Sequence, residues 1–131
     1  MSNGATPIHV TIMPTGGGAG NIPISAAGTS PYVQSNGDIR NLQPGQAYDI
    51  TFTLAAAHGV NSWDPAAPFG NQSDGSCPAP GKGASGPFSL QPGGGSTSIT
   101  IHVDGQPQGT RTEYRLNYND GQSTDPIIVV G

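Results

Sequence analysis

Apolar and polar residues alternate with a period of two in several segments of the chain. Residues 48–54 place apolar side chains at every second position, with Asp49 and two threonines between them. This period is typical of a strand that buries one face. Residues 7–13, 99–103 and 113–118 alternate in the same way. We predict that 48–54, 99–103 and 113–118 are antiparallel strands around one core. The side chains predicted to face that core are Tyr48, Ile50, Phe52, Leu54, Ile99, Ile101, Val103, Leu116 and Tyr118.

Dipeptides typical of tight turns separate these segments. Pro44-Gly45 and Pro92-Gly93 each precede an alternating run. Asn36-Gly37 predicts a type I′ hairpin turn, because both central residues of that turn need a positive φ. Asp120-Gly121 predicts a second hairpin, which ends in the apolar run 127–130. Together these signals predict about seven short strands and no helix, the pattern of an all-β antiparallel two-sheet β-sandwich.

One long segment, residues 55–87, breaks the alternation. Its prolines interrupt any strand ladder, and they stand at Pro65, Pro68, Pro78, Pro80 and Pro87. A loop of about 30 residues is far longer than ordinary connections. A chain of 131 residues also leaves no room for a second core. The sequence therefore predicts a single β-sandwich domain over residues 1–131 with one long irregular loop at 55–87.

Three stretches carry a resemblance to a known class of domain. Residues 42–54, 114–118 and 125–130 resemble small bacterial immunoglobulin-like or cupredoxin-like sandwich domains. The resemblance implies the fold and no catalytic residue. The chain departs from both patterns, because its single cysteine, Cys77, cannot form the immunoglobulin disulfide and is not followed by the His and Met of blue-copper proteins. The resemblance therefore implies neither a disulfide nor a bound copper.

Composition and charge narrow the range of partners. Charged residues make up 9% of the chain, the net charge is −4, and Lys and Arg form no cluster, so we expect no nucleic-acid partner. No apolar run approaches the ~20 residues of a membrane helix, so we expect no membrane span. Residues 1–7 lack the features of a signal peptide, which favours a cytoplasmic location by default. Low charge protects weakly against self-association, which favours a homo-oligomer.

The long segment 55–87 also concentrates the residue types that bind ligands. Trp63, the single tryptophan, stands beside Asp64, with Asn71 and Asp74 further along. An aromatic face with hydrogen-bonding neighbours can hold a carbohydrate or a protein, and loops on a rigid scaffold are where such residues gather. The alternative is that Trp63 is a plug that fixes the segment onto the sheets. The sequence leaves both interpretations open.

The three histidines suggest a different class of function. His9 and His102 both fall on outward positions of predicted strands, so they would lie side by side if those strands were neighbours. With His58 they could bind copper or zinc. No pair of nucleophile and base can be assembled for catalysis. The sequence thus predicts a non-enzymatic binding or assembly module without a cofactor, and copper or zinc handling through these histidines is the alternative.

Overall fold

The computed structural model describes residues 5–16, 22–28, 31–72, 74–78, 83–119, 123–124 and 127–131. Within them it has ten strands and no helix. The strands are β1 Thr6–Pro14, β2 Ile24–Gly28, β3 Ile39–Leu42, β4 Tyr48–Leu54, β5 Phe69–Asn71, β6 Phe88–Leu90, β7 Ser98–Val103, β8 Arg111–Asn117, β9 Ser123–Thr124 and β10 Ile127–Val130. The expected count of about seven was therefore too low, because strands as short as β5 and β9 contain too few alternations to stand out in a sequence.

The strands form two five-stranded sheets. The first has the order β2-β1-β4-β7-β6, and the second has the order β3-β10-β8-β5 with β9 paired to β8. The pairing of β4 with β7 is antiparallel, as predicted. However, β1 runs parallel to β4, and β3 runs parallel to β10, so both sheets are mixed and the wholly antiparallel prediction is wrong. Alternation identifies the two faces of a strand but carries no information about the direction of its neighbour.

Both sheets contribute to a shared hydrophobic core. Every residue predicted to face the core is buried, with at most 5% of its surface exposed, and all of them belong to one cluster. Phe52 of the first sheet contacts two rings of the second, with centroid distances of 6.1 Å to Phe69 and 5.6 Å to Tyr114. The predicted inward faces are therefore confirmed, and the two sheets meet through aromatic rings.

The predicted turns at Gly45 and Gly37 lie in the described part of the chain and can be compared with their sequence signals. In the Pro44-Gly45 turn, Gly45 has a φ of 76°, and the Gln46 amide donates to the Gln43 carbonyl at 3.2 Å. The Asn36-Gly37 hairpin forms, but only Gly37 has a positive φ, so the type I′ prediction is wrong. The Asn36 carboxamide oxygen instead accepts a bond from the amide of Asp38, two residues on, which is the local bond that Asn favours in turns. The predicted Asp120-Gly121 turn lies outside the described residues.

The described part of residues 55–87 is more ordered than its sequence indicates. They contain β5, which pairs with β8 at one edge of the second sheet. They also contain an isolated bridge between Trp63 and Tyr118 and a hairpin turn that joins Ala57 to Val60. The prediction of one long irregular loop is therefore wrong in its middle.

No helix among the described residues is long and apolar enough to cross a membrane.

Candidate functional site

Trp63 is a buried residue held by both sheets. Only 2% of its surface is exposed. Its amide donates to the carbonyl of Ser96, next to the first sheet, at 2.8 Å. Its ring stacks on Tyr118, at the end of β8, with a centroid distance of 5.5 Å and an angle of 13° between the planes. This placement is the one that the plug interpretation predicts.

Beside Trp63 lies an open cleft of about 670 Å³, lined on one side by Leu90 and Ile99 of the first sheet. Its wall includes the glycine-rich turn from Pro92 to Gly95, which joins β6 to β7. Leu90, at the end of β6, forms part of the lining and is 44% exposed. Leu90 pairs with Ile101, which is fully buried, so both side chains belong to the inward face of the first sheet. The cleft therefore opens beside the inward face of the first sheet, at the end of its edge strand β6.

The polar groups of the cleft are few. Asp64 Oδ1 accepts a bond from the Ala66 amide at 2.9 Å and so stabilises the local turn. Asn119 donates to the side chain of Asn61 at 3.4 Å. The Trp63 indole Nε1 is buried and has no hydrogen-bond partner among the described residues. A buried donor without an acceptor destabilises a fold by about 1–3 kcal/mol, so this atom is the polar group of the lining that is least satisfied.

The other two predicted ligand residues lie elsewhere. Asn71 is fully buried. Its side chain accepts from the Ser85 amide at 2.8 Å and donates to the Ser85 carbonyl at 3.1 Å, so it fixes residue 85 beside β5. Asp74 accepts from Ser76 Oγ at 2.6 Å, and this bond lowers the pKa of its carboxyl. Both line a depression of about 120 Å³ that is separate from the cleft. The structure therefore divides the predicted set of Trp63, Asp64, Asn71 and Asp74 between two places.

The three histidines do not come together. His9 lies opposite Thr51 on the β1–β4 ladder, and His102 lies opposite Asp49 on the β4–β7 ladder. The condition for a shared metal site is not met, because β4 stands between their strands and two strand spacings amount to about 10 Å. His58 occupies a hairpin turn with a φ of 52°. Among the described residues, no three His, Cys, Asp or Glu side chains are grouped to hold a metal ion.

His102 is instead held by two carboxylates. Its Nδ1 lies 2.7 Å from Asp49 Oδ1, and its Nε2 lies 3.2 Å from Asp104 Oδ1. The hydrogen bond to Asp49 raises the pKa of His102 above its ordinary value, while partial burial opposes the rise. The arrangement favours an imidazolium that joins β4 to the end of β7. Both ring nitrogens are engaged, which leaves neither for a metal.

Sequence reasoning missed the residues on the far side of the cleft. Leu90 follows Phe88 at the period of a strand, so the pattern predicts burial for both. Phe88 is 4% exposed, whereas Leu90 is 44% exposed. The one available signal was the Pro92-Gly93 turn, which begins two residues after β6 ends at Leu90. A turn marks where a strand ends and does not tell whether the opposite sheet covers it.

Comparison with protein-family models, with curated proteins and with solved structures finds no match to this chain. The cleft beside Trp63 and Leu90 is the larger of the two described places that hold predicted ligand residues.

Proposed function

We propose that this protein is a non-enzymatic binding module built on an immunoglobulin-like β-sandwich, and that the cleft between Trp63 and Leu90 holds a segment of a protein ligand. The observation that carries the proposal is the cleft itself. Its volume of about 670 Å³ lies within the ~300–1,000 Å³ typical of ligand sites. Leu90 presents an exposed apolar side chain at its rim, which is where a ligand gains most from displacing water.

The lining favours a protein over a carbohydrate. An aromatic residue that stacks on a sugar keeps one face of its ring open to solvent. Trp63 is 2% exposed and uses one face against Tyr118, so it offers no such platform. Leu90, Ile99 and Pro68 add apolar lining instead. An apolar side chain of a protein ligand matches this surface.

The same lining favours binding over catalysis. General acid–base and nucleophilic chemistry need a titratable group beside a second group that activates it. Among the described lining residues the titratable group is Asp64, and its Oδ1 already accepts a backbone bond. The remaining polar groups are amides, hydroxyls and backbone atoms, which orient ligands without transferring protons.

The sandwich interpretation has two supports. Residues from both sheets belong to one buried cluster, as expected for sheets that pack face to face. The ring contacts of Phe52 with Phe69 and Tyr114 join the sheets at their inner faces. The copper-binding alternative of a cupredoxin-like protein is not favoured, because His9 and His102 stand on non-adjacent strands.

The test is to select binders from a phage-displayed library of random linear peptides, with an array of oligosaccharides screened in parallel. We expect peptides that bind the wild type and lose about tenfold or more in affinity to Leu90→Lys, because a charge on the rim opposes burial. The matched control is Met13→Lys, since Met13 is 45% exposed and is not part of the cleft lining. The control should bind like the wild type.

Occupation of the cleft can be followed directly. Trp63 is the single tryptophan of the chain, so its fluorescence reports on the cleft when a selected peptide is added. Oligosaccharide binding without peptide binding would overturn the proposed ligand class. Peptides that bind Leu90→Lys and the wild type equally would show that the cleft is not the site.

A further inference from the structure

The outer edge of β6 carries backbone groups that face away from its sheet. Backbone bonds join Gln91 to Thr100 and Asp104 to Pro87 across the β6–β7 ladder. Because bonded pairs alternate along an antiparallel ladder, the N–H and C=O of Leu90 point away from β7. Neither group has a backbone partner among the described residues. Leu90 thus offers one donor and one acceptor at an open strand edge.

The other three edge strands are covered by neighbouring segments. On β2, the amide of Ala26 donates to the carbonyl of Ser35 at 2.8 Å. On β3, the amide of Arg40 donates to Tyr32 at 2.9 Å. On β5, the amide of Asn71 reaches the carbonyl of Gly83 at 3.4 Å. Natural proteins commonly cover strand edges in this way. On β6 the amide of Phe88 likewise donates to the carbonyl of Ser85 at 3.2 Å, so the open part of this edge is the position of Leu90, beside the cleft.

We propose that an extended segment of the protein ligand adds to β6 as a further, antiparallel strand, bonding the backbone of Leu90 and placing an apolar side chain in the cleft. This inference rests on the proposed function and specifies how the ligand binds. Strand addition is a common mode of peptide recognition, in which main-chain bonds supply affinity and a pocket supplies specificity.

The geometry links the open edge to the cleft. A residue paired directly opposite Leu90 places its side chain on the same face of the sheet as Leu90. That face is the inward one, because Ile101 opposite Leu90 on β7 is fully buried. Leu90 and Ile99 line the cleft on this side, and Trp63 lines it too. One ligand residue can therefore exchange two backbone bonds with Leu90 while its side chain enters the cleft.

The size of the site selects an extended segment over a second copy of the chain. β6 has three residues, which span about 10 Å. A stable interface between folded proteins buries about 1,200–2,000 Å², and an edge this short with one cleft falls well below that.

The charge selects a neutral or cationic segment, because the chain carries a net charge of −4 and the charged group among the described lining residues is the carboxylate of Asp64.

The experiment is a scan of a selected peptide with N-methyl groups, each of which removes one backbone donor. If the peptide adds as a strand, methylation at the residue opposite Leu90 should weaken binding about tenfold or more, whereas methylation of the residues on either side should change it little. Because the wild-type protein is used throughout, folding of a variant does not affect this result. Uniform tolerance of N-methylation would overturn strand addition.

A pair of protein variants tests the other side of the bond. Leu90→Pro keeps an apolar side chain and removes the backbone donor, and proline is tolerated at strand edges. Leu90→Val keeps both the donor and an apolar side chain. We expect Leu90→Pro to bind about tenfold more weakly than Leu90→Val. Equal affinities of the two variants, at melting temperatures close to that of the wild type, would contradict the proposal.

The outcomes separate the two proposals. One outcome is a peptide that does not bind Leu90→Lys but tolerates an N-methyl group at every residue. This outcome would support the binding function and would contradict strand addition alone. Failure to recover any cleft-dependent peptide would remove both. Under this proposal sedimentation should show a monomer rather than the homo-oligomer that the low charge favours. A dimer that dissociates with Leu90→Pro would show that the occupant is a second copy of the chain.

Discussion

Replacement of Trp63 by alanine should destabilise the protein, although Trp63 lies beside an open cleft. Only 2% of the surface of Trp63 is exposed. Truncation of a buried Trp lowers the free energy of unfolding by about 3–5 kcal/mol. The loss includes the stack on Tyr118, since such ring pairs contribute about 0.5–1.5 kcal/mol.

A second term acts in the opposite direction. The Trp63 Nε1 donor has no partner among the described residues, and removal of an unsatisfied buried donor recovers about 1–3 kcal/mol. The two effects together predict a net loss of about 2 kcal/mol for Trp63→Ala. Trp63→Phe keeps most of the ring and removes the donor, so it should stay within about 1 kcal/mol of the wild type.

Urea unfolding followed by far-ultraviolet circular dichroism measures these differences without using tryptophan fluorescence. With a urea slope of about 1–3 kcal/mol per molar, a loss of about 2 kcal/mol lowers the midpoint by about 0.7–2 M at unchanged slope. Ser62→Ala, in the neighbouring half-buried position, is the control and should change stability by about 0.5 kcal/mol or less. A loss below about 1 kcal/mol for Trp63→Ala would refute the structural role of the ring. A Trp63→Phe variant as unstable as Trp63→Ala would refute the argument from the unsatisfied donor.

Three further predictions concern the core, the surface and a turn. Phe52→Ala should lower the free energy of unfolding by about 3–5 kcal/mol in urea titrations, because Phe52 is fully buried between the sheets; a loss below about 1 kcal/mol would show that the inner face was misassigned. The raised pKa of His102 stabilises the fold fully below the unfolded-state pKa of about 6.5 and less as the pH rises through the folded-state pKa. Stability should therefore decline more between about pH 6 and pH 9 in the wild type than in His102→Gln, and parallel pH profiles would contradict this. His58→Gly should raise stability by about 0.5–1 kcal/mol, because His58 has a φ of 52°; an unchanged or lower melting temperature would contradict the strain argument.

Alternation along the chain was sufficient to locate the main strands and their inner faces. Every second side chain from Tyr48 to Leu54 points inward, because successive side chains of any strand lie on opposite faces. That rule is local, so it works without knowledge of the partner strand. The turn at Gly45 was predictable for a similar reason. Glycine adopts a positive φ without a steric penalty, and this tolerance depends on the residue alone.

Pairing between distant segments required the tertiary structure. Which strands lie side by side decided three features that the sequence did not predict. These are the parallel neighbours of β1 and β3, the short strand β5, and the separation of His9 from His102. The sequence predicted a ligand site around Trp63 and Asp64, and both do line the cleft. It placed Asn71 and Asp74 with them only because they are close along the chain.

The cleft is the clearest case of a feature that the sequence alone did not determine. Phe88 and Leu90 occupy equivalent inward positions of β6, and their local patterns are the same. Phe88 is covered because its ring meets Phe69 of the second sheet at 5.8 Å, whereas Leu90 is 44% exposed at the end of the edge strand. Burial depends on what the other sheet places opposite a residue, and that is decided only when both sheets have packed.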